Sequence, residues 1–180
     1  TPSAQGGDFD GVDNDGNGEV DDVSGYDFST YQLDATDTCL DAKPRDPDPM
    51  DKYGHGTHVA GTVAAAAGNG IGVAGIAPVA KILPVRSFDD CAETVLTDLA
   101  DGLYYATDMG AHVINNSWGL QEETCVPVSD AMIEAAVRDA YGNGAVVVFA
   151  AGNENCDIAA VSPLNMTEVI TVAAVDHEGN

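Results

Sequence analysis

The sequence predicts an α/β fold in which a mostly parallel β-sheet is covered by helices on both faces. From residue 54 onward, short apolar segments alternate with segments whose apolar residues recur at helical spacing. The apolar segments, such as 145–149, are nearly continuous, which is typical of parallel strands buried on both sides. In folds of this class, ligands bind beyond the carboxyl ends of the strands.

The composition fits one globular domain and argues against two classes of partner. The chain has 180 residues, and 44% of them are apolar, which is enough for one hydrophobic core. Its 30 acidic residues and 6 Lys and Arg give a formal net charge of −24, which repels nucleic acid and anionic membrane surfaces. No apolar run approaches the roughly 20 residues that span a bilayer. We therefore expect a monomer that binds neither nucleic acid nor membrane.

Residues 1–50 are predicted to form an acidic loop region and 54–180 the α/β core, with no second domain in 1–180. The loop region is rich in Gly, Pro, Asn and Asp and has no periodic apolar pattern. In the core, small residues predict a tightly packed, buried helix over 54–67. Further helices are predicted over 94–109 and from Ser129, the expected N-cap, to about Tyr141. Strands are predicted at 82–85, 111–115, 145–149 and 168–175.

Residues 54–62 have the sequence GHGTHVAGT, which contains a candidate general base. A general base needs an imidazole at the edge of a cleft, with small neighbours that let backbone and substrate approach. His55 lies at the start of a predicted helix between two glycines and fits that role. An isolated pair of histidines three residues apart also fits a buried structural histidine or a metal pair. The complete string is more specific than that pair.

Asn153 follows an apolar strand and is a candidate oxyanion donor. An uncharged amide at this place can donate a hydrogen bond to a developing negative charge without changing the pKa of a nearby base. The alternative is an ordinary turn residue after Gly152.

Residues 13–22 resemble the first half of an EF-hand calcium loop. Oxygen-bearing side chains alternate along the segment, and a glycine occupies the sixth position. The expected ligands are the side chains of Asp13, Asp15 and Asn17, the carbonyl of Glu19, and the carboxylate of Asp21 or Asp22. Ser24 replaces the usual glutamate at the twelfth position, so we expect a weak structural calcium site. A solvated acidic turn is the alternative.

The four cysteines are Cys39, Cys91, Cys125 and Cys156, and none belongs to a CxxC pair. An even number of separated cysteines in a very acidic protein favours two disulfides and a secreted, extracellular location. Four independent thiols are the alternative.

The string GHGTHVAGT resembles the histidine motif of the subtilisin-like serine proteases, the subtilase family. Two further blocks follow in the order of that family. NSWG at 116–119 resembles the segment that forms one wall of the primary specificity pocket, and AAGNE at 150–154 resembles the block whose Asn completes the oxyanion hole. Residues 13–28 are similar to a calcium-loop insertion common in bacterial subtilases.

The resemblance implies a three-layer α/β/α fold and a serine endopeptidase that cleaves polypeptide substrates by a Ser–His–Asp mechanism. His55 is then the general base, His58 is structural, and Asn153 is the oxyanion donor. The implied substrate-binding residues are Ser117, Trp118, Gly119, Ala151 and Gly152. The resemblance also implies disulfides joining Cys39 to Cys91 and Cys125 to Cys156, and a second, weaker calcium loop around Asn69.

Two family motifs are absent from the sequence. It contains neither the Asp-Ser/Thr-Gly turn of the catalytic Asp nor the Gly-Thr-Ser string of the nucleophile. We therefore expect part of a catalytic domain, incomplete at both ends and inactive alone. A non-catalytic subtilase-like binding domain is one alternative, although an inactive domain has no physical need for His55 and Asn153. An extracellular calcium-binding interaction module is another, but it explains nothing after residue 54.

Overall fold

The computed structural model describes residues 11–30, 44–119 and 127–179. The chain divides into two compact units, one ending at Gly102 and one beginning at Leu103. Helices and parallel strand pairs occur in both, which confirms the predicted α/β class. No helix among the described residues is both long enough and apolar enough to cross a membrane.

The first unit contains a two-stranded parallel sheet and helix α1. Strand β1 (Tyr26–Asp27) pairs with strand β2 (Val85–Arg86), and α1 spans His55–Ala64. Strand β1 lies in the region predicted to be loops. Strand β2 begins only at Val85, later than predicted, because Pro84 has no backbone N–H to donate to a ladder. The carbonyl of Pro84 still accepts a hydrogen bond from the N–H of Tyr26 at 3.2 Å.

Buried charges join the chain segments of this unit. The carboxylate of Asp98, which is fully buried, accepts hydrogen bonds from the Thr30 N–H at 2.7 Å and from Arg45 Nη2 at 3.0 Å. Asp27, also buried, forms an ion pair with Arg86. These pairs fix the segments that precede α1, because a buried charge without its partner is strongly destabilising.

Helix α1 was expected to be buried, and this prediction was wrong. None of its ten residues is buried in the structure. Beyond the helix, Ile71 and Ile76 expose 78% and 89% of their surface. Small residues permit close packing, but each buries little apolar area. The hydrophobic free energy gained by covering this helix is therefore small.

Helix α2 (Leu96–Asp108) crosses from the first unit into the second, which continues with a parallel sheet. Strand β3 (Val113–Asn116) pairs with β4 (Val146–Ala150), and β4 pairs with β5 (Val169–Val172). Helix α3 (Ala131–Gly142) packs against β4, and a short 3₁₀ helix spans Ile158–Ala160.

One face of the three-stranded sheet is buried and the other is exposed. Val147 and Phe149 of β4 are buried together with Ile133, Ala136 and Val137 of α3. On the opposite face, the exposed fractions are 59% for Val113, 43% for Val146 and 55% for Ile170. The continuous apolar pattern therefore located the strands, but it did not identify what covers each face.

Candidate active site

His55 is the first residue of helix α1, and its side chain is exposed. The N-cap Gly54 has φ 96° and ψ −13°, a left-handed conformation that glycine adopts without strain. The N–H of His58 donates to the carbonyl of Gly54 at 3.0 Å and closes the first helical turn. The predicted base thus lies at the open end of a helix, where a substrate can reach its imidazole.

Asp51 anchors this end of the helix, a role that the sequence analysis missed. Its Oδ1 accepts the N–H of Gly54 at 2.6 Å, and its Oδ2 accepts the N–H and the hydroxyl of Thr57 at 2.8 and 2.7 Å. Burial raises the pKa of Asp51, but these bonds and one from the Tyr53 N–H outweigh it and hold the pKa below its ordinary value. No local sequence signal marked Asp51, because its role depends on hydrogen bonds that form only when the loop meets the helix.

The second unit holds the predicted oxyanion donor and the predicted substrate-binding residues. Strands β3 and β4 run parallel, and Asn116 at the end of β3 lies opposite Phe149 of β4. Residues 117–119 follow β3 and residues 151–153 follow β4. The structure therefore brings these two segments to the same carboxyl edge of the sheet, where α/β folds bind ligands.

Side chains of β4 and β3 anchor the first of these segments. The Trp118 ring packs edge-on against Phe149, with the centroids 4.9 Å apart and the planes at 81°. Asn116, which is buried, donates from Nδ2 to the Val148 carbonyl at 3.2 Å. The Ser117 hydroxyl accepts from Asn115 Nδ2 at 3.0 Å. Phe149 is a supporting residue that the sequence analysis missed, whereas Asn116 belongs to the block at 116–119 that the resemblance had singled out.

Asn153 lies on the second segment, and its side chain is exposed. The chain turns at Gly152, whose φ is 94°, and continues to Glu154. The N–H of Asn153 donates to Glu154 Oε2 at 2.8 Å. The N–H of Ala151 donates to the Val172 carbonyl at 2.9 Å and fixes the start of this turn to β5. The amide of Asn153 is therefore at the open edge of the sheet.

The predicted calcium loop folds around its own carboxylates. Asp13 accepts the N–H of Gly16 at 2.7 Å and the N–H of Gly18 at 2.9 Å. The bond from Gly18 contributes most, and together these bonds lower the pKa of Asp13 against a smaller opposing effect of burial. Asp15 Oδ1 accepts the N–H of Asn17 at 3.2 Å. The N–H of Glu19 in turn donates to Asn17 Oδ1 at 2.8 Å.

Other residues of this loop have different partners. Both carboxylate oxygens of Asp21 accept the N–H of Gly11, at 3.0 and 3.2 Å. Burial, followed by a hydrogen bond with the Glu19 carboxylate, raises the pKa of Tyr26 above its ordinary range. In the part of the chain that the structure describes, no three His, Cys, Asp or Glu side chains are gathered as a metal-binding group. In the second candidate loop, Asn69 Oδ1 accepts the N–H of Ile71 at 3.0 Å.

The sequence matches one family model and several characterised proteases. The model of the subtilase family matches residues 14–180. The chain is 42% identical to a thermophilic serine proteinase from Bacillus sp. (strain AK1), over 85% of this chain and 37% of that protein. It is 40% identical to thermitase from Thermoactinomyces vulgaris, over 75% of this chain and 46% of that protein.

A solved structure extends the similarity to the fold. The chain matches a structure described as proteases from Pseudoalteromonas arctica with a TM-score of 0.71 and 35% sequence identity. The match covers 84% of this chain and 50% of the other. The chain thus spans half or less of the length of these relatives. From the family match over 14–180, the chain belongs to the subtilase family.

Proposed function

We propose that the full-length protein containing this chain is a serine endopeptidase, and that this chain supplies its general base and oxyanion donor. The main support is the match to the subtilase family along 14–180, which includes His55 and Asn153. The exposed imidazole at the start of α1 and the exposed amide at the sheet edge are accessible to a polypeptide. The family match also favours a protease over a calcium-binding interaction module.

In the proposed reaction, His55 takes the proton from the serine hydroxyl as that oxygen attacks the scissile carbonyl. The Asn153 amide donates to the negative charge that develops on the carbonyl oxygen. His55 then returns the proton to the leaving amine. The serine and the Asp that orients the imidazole come from outside these 180 residues, so the chain alone is inactive.

Substrate would bind along the two segments at the sheet edge. Ser117, Trp118 and Gly119 would form one wall, fixed by the contact between Trp118 and Phe149. Ala151 and Gly152 would form the opposite wall. The parallel pairing of β3 and β4 supports this arrangement, because it holds both segments at one edge.

The test compares the activity of single-residue variants of the full-length protein on a peptide substrate. We expect His55→Ala to lower kcat by several orders of magnitude, about 10⁶-fold in subtilisin, because the nucleophile loses its base. Asn153→Ala should lower kcat about 10²–10³-fold, the size of effect known for the oxyanion-hole Asn of subtilisin. His177→Ala, whose side chain is 90% exposed, is the matched control and should retain activity. Near-normal turnover in His55→Ala would contradict the proposal.

A structural calcium ion at residues 13–22 is part of the same proposal. Calcium prefers carboxylate, amide and carbonyl oxygens, which Asp13, Asp15 and Asn17 offer. Because the Glu19 carboxylate bonds to Tyr26, Glu19 would contribute its carbonyl. Asp21 would complete the set, and the ion would compete with the backbone N–H groups that now bond to these oxygens.

We also propose that the protein is secreted with disulfides joining Cys39 to Cys91 and Cys125 to Cys156. Neither Cys91 nor Cys156, the two cysteines that the structure describes, is a free thiol, which supports this proposal. Cys39 and Cys125 lie outside the described residues. Peptide mapping without reduction should recover both linkages, and another pairing would contradict the proposal.

A further inference from the structure

We propose that Asp51 is a positioning residue that fixes His55 by anchoring the first turn of helix α1. The inference rests on the function proposed above, in which His55 is the general base.

The contacts of Asp51 enclose His55 on both sides along the chain. Gly54, immediately before His55, donates its N–H to one carboxylate oxygen at 2.6 Å. Thr57, two residues after His55, donates its N–H and its hydroxyl to the other oxygen at 2.8 and 2.7 Å. The carboxylate also lies beside Gly56, because a Cβ built there would be 3.7 Å from Asp51 Oδ2. One side chain therefore holds the backbone before and after the histidine.

Helix α1 needs this external anchor because its own N-cap residue cannot provide one. The first N–H groups of a helix have no partner within it, and an N-cap side chain usually accepts from the second or third residue. Gly54 has no such side chain, and its backbone is in the left-handed region. Thr57 is the third helical residue, so Asp51 accepts the bond that a Ser or Asp N-cap would accept.

The consequence for catalysis follows from the place of His55 in the helix. As the first helical residue, His55 moves with any fraying of the first turn. A displacement of about 1 Å in a reacting group can lower a rate about 10²-fold. A residue that only stabilised the fold would not change kcat in this way, so kinetics separate the two roles.

The experiment pairs two helix-capping aspartates in the full-length protein. Asp130 caps α3 by accepting the N–H groups of Met132 and Ile133, both at 3.0 Å, and α3 contains no proposed site residue. We expect Asp51→Ala and Asp130→Ala to lower the thermal midpoint by a similar few degrees. Asp51→Ala should also lower kcat about 10- to 100-fold with KM changed less than about twofold, whereas Asp130→Ala should leave both nearly unchanged.

Two further variants make the result decisive. Thr57→Val removes only the hydroxyl bond and should lower kcat less than Asp51→Ala does. If Asp51→Ala does not fold, Asp51→Asn retains one acceptor oxygen and is judged by the same comparison with Asp130→Ala. Both variants are assayed at a temperature well below their thermal midpoints. If the Asp51 variant then has the same kcat as the Asp130 variant, the positioning role is overturned. In that case, His55→Ala in the same assay distinguishes the two proposals, because retained activity refutes the proposed function itself.

Discussion

Glu134, a single residue of helix α3, joins three parts of the second unit through its carboxylate. Its Oε1 accepts the hydroxyls of Ser162 at 2.7 Å and Ser129 at 2.9 Å, and its Oε2 accepts Arg138 Nη2 at 3.1 Å. The bond from Ser162 contributes most, and together these bonds lower the pKa of Glu134. A lowered folded-state pKa adds stability above the ordinary pKa of glutamate, about 4.3. That stability is lost as the pH falls through the lower, folded-state value.

We therefore predict that Glu134→Gln lowers the thermal midpoint at neutral pH. The difference from the parent protein should shrink steadily as the pH falls below about 4.3, because the parent carboxylate then becomes protonated. Thermal unfolding across this pH range measures it. Glu178→Gln, whose side chain is 69% exposed, is the control and should follow the parent at every pH. A midpoint difference that stays constant with pH would contradict the assigned role of the charge.

At the scale of elements, the last turn of helix α1 is closed by backbone N–H groups of residues 75–77, which follow the glycine-rich loop at 68–72. The N–H groups of Gly75, Ile76 and Ala77 donate to the carbonyls of Ala65, Thr62 and Val63 at 2.9, 3.1 and 2.8 Å. The backbone at residue 75 lies so close to the backbone of residues 64 and 65 that only a glycine fits there. A Cβ there would lie 2.4 Å from the nitrogen of Ala65 and 2.6 Å from that of Ala64.

We predict that Gly75→Ala destabilises the fold by about 1–3 kcal/mol, because backbone atoms must move to admit the methyl group. Denaturant unfolding of the two proteins gives this difference. Gly142→Ala is the control, since nothing lies within 4 Å of a Cβ at that position. It should leave the stability unchanged or raise it slightly, because alanine favours a helix over glycine. Equal stability of Gly75→Ala and the parent would mean that this segment moves without cost.

Helices α2 and α3 and strands β3 to β5 could be predicted because their apolar patterns are strong. The N-cap of α3 could not. Ser129 and Asp130 are both good N-cap residues, and the structure uses Asp130 while the Ser129 hydroxyl bonds to Glu134. Strand β1 was missed because its two residues become a strand only by pairing with β2, which no local pattern reports.

The candidate site was also only partly predictable, because local motifs are visible in the sequence and contacts between separate segments are not. The string around His55 and the block around Asn153 are each continuous along the chain, so the amino-acid sequence alone reveals both. Asp51 could not be found in this way, because its role depends on hydrogen bonds that a loop forms with a helix. Among 30 acidic residues, nothing local distinguishes the one that accepts those bonds.

At the scale of the whole molecule, the charge is the dominant property. A formal −24 on 180 residues creates repulsion that cations reduce in two ways. Any salt screens charges separated by more than about 8–10 Å at moderate ionic strength. A specifically bound ion adds stability only if it binds the folded loop, and the gain then depends on its concentration relative to Kd.

We predict that calcium raises the thermal midpoint of the full-length protein more than sodium chloride of equal ionic strength. At about 10 mM, a hundredfold above a Kd of about 10⁻⁴ M, the additional rise should be about 5 °C. The double variant Asp13→Asn with Asp15→Asn should lose the additional rise and keep the response to sodium chloride. If it gains as much from calcium as the parent does, residues 13–22 are not the site.

The contact between Trp118 and Phe149 also has an optical consequence. Trp118 is the only tryptophan in the 180 residues, and its indole is half-buried beside the edge of the sheet. The emission of an indole depends on the polarity around it and on its contacts with neighbouring groups. The tryptophan emission of these 180 residues, as distinct from that of the six tyrosines, therefore originates from one defined wall of the proposed substrate cleft. A peptide lying along that wall would change the colour and intensity of the emitted light without any attached label.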